Sequence, residues 1–107
     1  MKAKHGDNKP GIFLLMLEKY LTEYLVKVKG YSDKTKASYT ISFRLFVIYV
    51  CELLKINSSE ITFRQLTQEV IEGFLVWLEN EKHNSVSTRN CRLAALKSFA
   101  KYAVSAG

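Results

Sequence analysis

The sequence predicts an all-α fold, a compact bundle of four main helices, on three observations. Apolar residues recur at helical spacing in four separate segments. Capping residues stand ahead of two of them, at Ser32 and Thr67. The connections are short, and the one piece that could be extended, Ile61-Thr62-Phe63, has no partner strand.

Met1 to Gly11 reads as a disordered tail, rich in Lys, Gly, Asn and Pro, leaving 12–107 as one helical domain. The first helix begins near Ile12 or Phe13 and runs to about Val28. Leu14, Leu17, Leu21, Tyr24 and Leu25 form its stripe, and Gly30 ends it. Ser32 caps the second helix, from Asp33 to Leu54 or Lys55, with an acid in the first turn where the dipole favours one. Tyr39, Phe43, Phe46, Val50 and Leu53 or Leu54 make one apolar stripe. Ile41, Leu45 and Ile48 make another on nearly the opposite side, which predicts a central helix covered on both faces.

Ile56 to Leu66 is a connection anchored by Ile61 and Phe63. Thr67 caps the third helix, Gln68 to Lys82, with Val70, Ile71, Phe74, Leu75 and Leu78 on its buried face. Four glutamates make this helix acidic, so it is expected to face away from any polyanion. His83-Asn84 closes it, and the fourth helix runs from about Val86 to Val104.

Composition excludes several classes. Two isolated cysteines, Cys51 and Cys91, and two histidines, His5 and His83, fit neither a metal site nor a disulfide framework. They suit a reducing, cytoplasmic setting. No signal-peptide core and no uninterrupted apolar run of membrane length is present, so no membrane is expected. No nucleophile–base motif or phosphate-binding glycine loop can be read, so no cofactor and no catalysis by this chain are expected.

Charge is unevenly placed. The formal net charge is +6; residues 27–55 and 85–107 each carry +4, and residues 60–81 carry −4. Basic charge gathered on particular elements is the footprint of a nucleic-acid binder. On the fourth helix Ser85, Thr88, Arg89 and Arg92 share a sector that continues as Leu96, Phe99 and Ala103. The stripe is polar at its start and apolar beyond, which suits a helix packed at one end and presented to an anion at the other. The start of the second helix, Ser32 to Tyr39, has the same chemistry. Up-down topology puts both starts at one end, with Lys34, Thr35 and Lys36 near Thr88, Arg89 and Arg92.

These residues also resemble the N-terminal core-binding, SAM-like domain of the tyrosine recombinases, the phage-integrase family, over about residues 13–104. The likeness rests on three pieces in order. The first is Ser32, Thr35, Tyr39, Phe43 and Phe46; the second is Ile61, Leu66, Thr67, Ile71, Phe74 and Leu75. The third is Ser85, Thr88, Asn90, Arg92, Leu93, Leu96, Lys97, Phe99, Tyr102 and Ala103.

The resemblance implies a DNA-binding domain that clamps duplex DNA at a recombination site, in a piece of a longer protein whose catalytic domain is not in this chain. It implies double-stranded DNA and other recombinase protomers in a synaptic complex as partners, with the isolated domain monomeric. Its DNA-facing candidates are Lys34, Thr35, Lys36, Tyr39, Ser87, Thr88, Arg89, Asn90, Arg92 and Lys97. No tyrosine here is the expected nucleophile. Several candidates keep a plainer alternative: a cap for Thr35, a core edge for Tyr39, solvated charge for Arg89 and Arg92, a backbone bond for Asn90; Lys97 lies deeper along the helix. A helical protein-interaction module without a nucleic-acid role is the competing reading. A repressor-like helix-turn-helix is disfavoured by the long Ile56–Leu66 connection.

Overall fold

The computed structural model describes residues 11–106, so the expectation for residues 1–10 lies outside it. Four helical stretches account for nearly all of the described chain: α1 (Ile12–Lys19) with a π-helical continuation (Tyr20–Val28), α2 (Asp33–Leu54), α3 (Gln68–Glu81) and α4 (Val86–Ala106). Two 3-10 turns, Ser58–Glu60 and Phe63–Gln65, lie in the long connection, and no strand occurs among the described residues. Ile61 and Thr62 between those turns are locally extended, and Ile61 is fully buried.

The helix ends follow from local chemistry. Gly11, at φ 88°, starts α1 without a side-chain cap. Thr67 caps α3 by accepting the Val70 N–H at 3.1 Å. Lys55 and His83 take positive φ at the ends of α2 and α3. Ile56 then donates back to the Cys51 carbonyl and Asn84 to the Leu78 carbonyl, satisfying groups that the helix ends leave open.

The π segment is not readable from apolar spacing. Tyr20 and Leu25 are both fully buried, yet residues five apart lie about 140° apart on an α-helix. An i→i+5 ladder brings them toward one side. Lys29 N–H still bonds Tyr24 O at 3.0 Å, and Gly30, at φ 65°, lets Tyr31 N–H close on Leu25 O at 2.9 Å.

The core is aromatic. The Phe99 ring on α4 meets Phe13 of α1 at 5.6 Å, Tyr20 at 5.2 Å, Phe43 of α2 at 5.4 Å and Phe63 of the connection at 5.9 Å between centroids. Phe46 and Tyr49 of α2 pack against Phe74 of α3. The Tyr20 hydroxyl is hydrogen-bonded to Ser98 Oγ at 2.5 Å.

One expectation is corrected. Phe43, Phe46 and Val50 are buried, but Ile41 is 44% and Ile48 39% exposed, so α2 is covered on one side only. Its aromatic partners, Tyr20 of the π segment, Phe74 of α3 and Phe99 of α4, all meet the Phe43–Phe46–Tyr49 side, and among the described residues no further helix covers the other. By length and a mean hydropathy of 1.4 over an 18-residue window, α2 also meets the threshold for a membrane span. Its buried side is filled by this domain's own core, and Arg44 and Glu52 stand exposed on it.

Two outcomes follow. Phe99→Ala opens the centre of the core and should lower the unfolding free energy by about 3–5 kcal/mol in urea titrations. Burial pushes the Tyr20 hydroxyl up to about 12; Tyr39, Tyr31 and Tyr24 add to the rise and the Ser98 hydrogen bond opposes it. An unfolded tyrosine ionises near 10, so the folded state holds the proton longer. Stability from this group is full below about pH 10 and is lost as pH rises toward about 12. Tyr20→Phe should therefore flatten the alkaline fall in denaturation midpoint.

Candidate nucleic-acid interface

α2 and α4 begin with the same device. Thr35 N–H donates to Ser32 Oγ at 3.2 Å, and Ser32 Oγ donates to Thr35 Oγ1 at 3.2 Å. Thr88 N–H donates to Ser85 Oγ at 3.2 Å, and Ser85 Oγ donates to Thr88 Oγ1 at 3.2 Å. Each serine satisfies one first-turn N–H and turns its own proton onto the threonine. Each threonine hydroxyl therefore accepts from its cap and keeps its own proton to give away. The first-turn N–H groups ahead of them carry the positive end of the helix dipole.

The two starts lie together. Arg92 Nη1 on α4 donates to Ser38 O at 3.3 Å and to Ser42 Oγ at 3.2 Å, both in the first half of α2. Tyr39 and Cys91 are also neighbours. Burial first, then Tyr31, then Cys91 raise the Tyr39 hydroxyl above its ordinary value.

The candidates differ in access. Lys34, Ser87, Asn90 and Lys97 are exposed, and Thr35, Lys36, Tyr39, Thr88, Arg89 and Arg92 are partly buried. Ser87, Asn90, Ala94, Lys97 and Lys101 form an exposed side of α4 that contains no acid. Arg89 and Arg92 each have a buried Nε without a hydrogen-bond partner.

Two features depart from the sequence reading. α3 was expected to face away, yet its Glu79 lies 3.7 Å from Arg89 Nη1, with the Arg89 side chain 23% exposed. The link between α3 and α4 is so short that the last turns of one flank the first turns of the other. The sequence reading also passed over Arg44 and Thr40. With Asp33, Lys36, Ala37 and Ile41 they line a shallow open groove along α2. The spacing of Lys36, Thr40 and Arg44, four residues apart, was the signal available.

Nothing here resembles a metal centre: no cluster of three or more His, Cys, Asp or Glu occurs among the described residues. Cys51 and Cys91 are free thiols, and burial, with Glu60 nearby, raises the Cys51 thiol above its ordinary value.

Relatives give this geometry a context. The family described as "Phage integrase, N-terminal SAM-like domain" matches residues 17–107. The chain is 32% identical over 84 residues to "Putative integrase/recombinase y4rD" of Sinorhizobium fredii (strain NBRC 101917 / NGR234), covering 78% of this chain and 30% of that protein. It is 33% identical over 101 residues to "Putative integrase/recombinase y4rC" of the same organism, covering 94% of this chain and 29% of that protein. The chain thus spans about 30% of the length of these relatives. No solved structure matches it. With a family match over most of its length and an all-helical fold, the chain belongs to the phage integrase family, as an N-terminal SAM-like domain with a recombinase-related role.

Proposed function

We propose that this domain clamps duplex DNA at a recombination site through the shared end of α2 and α4. The observation that carries the reading is the pair of matched Ser–Thr helix starts held side by side by Arg92. Two dipole ends, two threonine hydroxyls with a proton to give and several cations gathered at one place suit phosphates spaced along a backbone. Lys34, Thr35, Lys36 and Tyr39 serve from α2, and Ser87, Thr88, Arg89, Asn90 and Lys97 from α4. Lys36, Thr40 and Arg44 extend the contact along the α2 groove. Asn90, an exposed amide beside the small Ala94, is the group suited to a base edge. Arg92 stands behind these groups at the same end.

The chain acts as a binding domain and not as the cutting enzyme. A recombinase protomer in a synaptic complex, inside the cell, is its working context, and the isolated domain is monomeric. Incubated with nicked or intact duplex, the isolated chain should form no covalent adduct through any tyrosine.

The electrostatics set the test. If Lys34, Lys36, Arg89 and Lys97 each neutralise a phosphate, log K against log salt should slope at about −3.6. Raising salt from about 50 to about 200 mM should weaken binding on the order of 100-fold, read by fluorescence anisotropy. Removing all four lysines and arginines should abolish most of that slope. Glu79→Ala, which releases Arg89, should leave affinity intact or raise it. Affinity that ignores salt, or survives the fourfold removal, would sink this interface and favour a protein-interaction module.

A further inference from the structure

We infer that Arg92 is a positioning residue: its guanidinium clasps α4 to α2 and sets the spacing at which the two helix starts meet DNA. The role rests on the DNA-binding reading above and departs from a direct phosphate contact. Nη1 is turned inward, to Ser38 O at 3.3 Å and Ser42 Oγ at 3.2 Å. Ser42 is 1% exposed, and its hydroxyl donates to the same Ser38 carbonyl at 2.9 Å. Three groups thus close a small ring of hydrogen bonds across the helix pair. The Ser42 oxygen both gives and receives, which removes the cost of burying it. The placement of Arg92 is explained by what it holds on α2. Nη1 carries two N–H groups, one for each of the two acceptors on α2. Just outside the clasp lie the matched starts at Ser32–Thr35 and Ser85–Thr88, whose relative position it fixes.

The test is a double-mutant cycle in the 107-residue chain: Arg92→Ala, Ser42→Ala and both together. Binding to a fluorescent duplex is measured against salt, well below each variant's melting temperature. Ser42→Ala removes one buried oxygen that cannot reach DNA, so it tests the clasp even if Arg92→Ala folds poorly. A positioning role predicts that each single change weakens binding by about tenfold and that the double is no weaker than the worse single. It also predicts a salt slope unchanged in all three. Arg92→Ala lowering the slope by about 0.9 with Ser42→Ala at wild-type affinity would make Arg92 a phosphate contact and overturn the role. Wild-type affinity in both single variants would overturn it as well. A wild-type chain without salt-dependent binding would instead overturn the DNA reading on which the role rests.

Discussion

The structure depends on where the Phe99 ring sits. It touches aromatic rings from α1, the π segment, α2 and the Phe63 turn at once. Aromatic pairs favour edge-to-face and offset contacts, so a ring with so many neighbours has few acceptable orientations. Fixing Phe99 fixes the middle of α4 against α2. Arg92, two turns earlier, then falls beside Ser38 and Ser42. The π segment belongs to the same solution. It brings Leu25 to the buried side while Tyr20 keeps its place against Phe99 and its bond to Ser98. A wide turn is costly by itself, and the packing of these two residues offsets that cost.

Beyond this core lies a polar layer with an unusual balance. Two helix starts point their positive ends the same way, and Lys34, Lys36, Arg89 and Arg92 stand on those starts. The acids nearby are Asp33 in the first turn of α2 and Glu79, whose pair with Arg89 is half in water. Such a pair is worth little, about 0–1 kcal/mol, and yields readily to a better anion. Concentrated like charge disfavours the compact state. An arriving polyanion relieves that repulsion while gaining its own contacts.

Much of this was legible in the sequence, and the failures share a cause. The helix limits, the Ser32 and Thr67 caps and the buried face of α4 follow from local rules, because a cap and a stripe involve neighbours in the chain. The π widening was not legible, since five-residue spacing looks like an interruption of the helical pattern. The exposed Ile41 and Ile48 were misplaced because a helical wheel shows which faces are apolar and not how many partners exist to cover them. The inward turn of Arg92 and the approach of Glu79 to Arg89 depend on neighbours 50 and 10 positions away. Composition gave charge by segment, but the pairing of those charges is a property of the packed helices.

The charge layout also limits how such a domain can hold DNA. On the DNA-binding reading proposed above, with the acidic α3 on the same body, the α2–α4 end is the favourable surface and the grip reaches few phosphates. A few contacts give an affinity that physiological salt largely erodes. A grip of this kind gains when tethered to a second DNA-contacting surface, because the second binding event becomes intramolecular and depends on geometry more than on charge. In that setting, precision at the helix starts matters more than additional lysines. On the same reading, the Arg92 clasp between α2 and α4 contributes that precision, since phosphate contacts act by fixing register and orientation. The inward-turned arginine and the buried serine it meets are therefore as much a part of the proposed DNA-facing end as the cations on its surface.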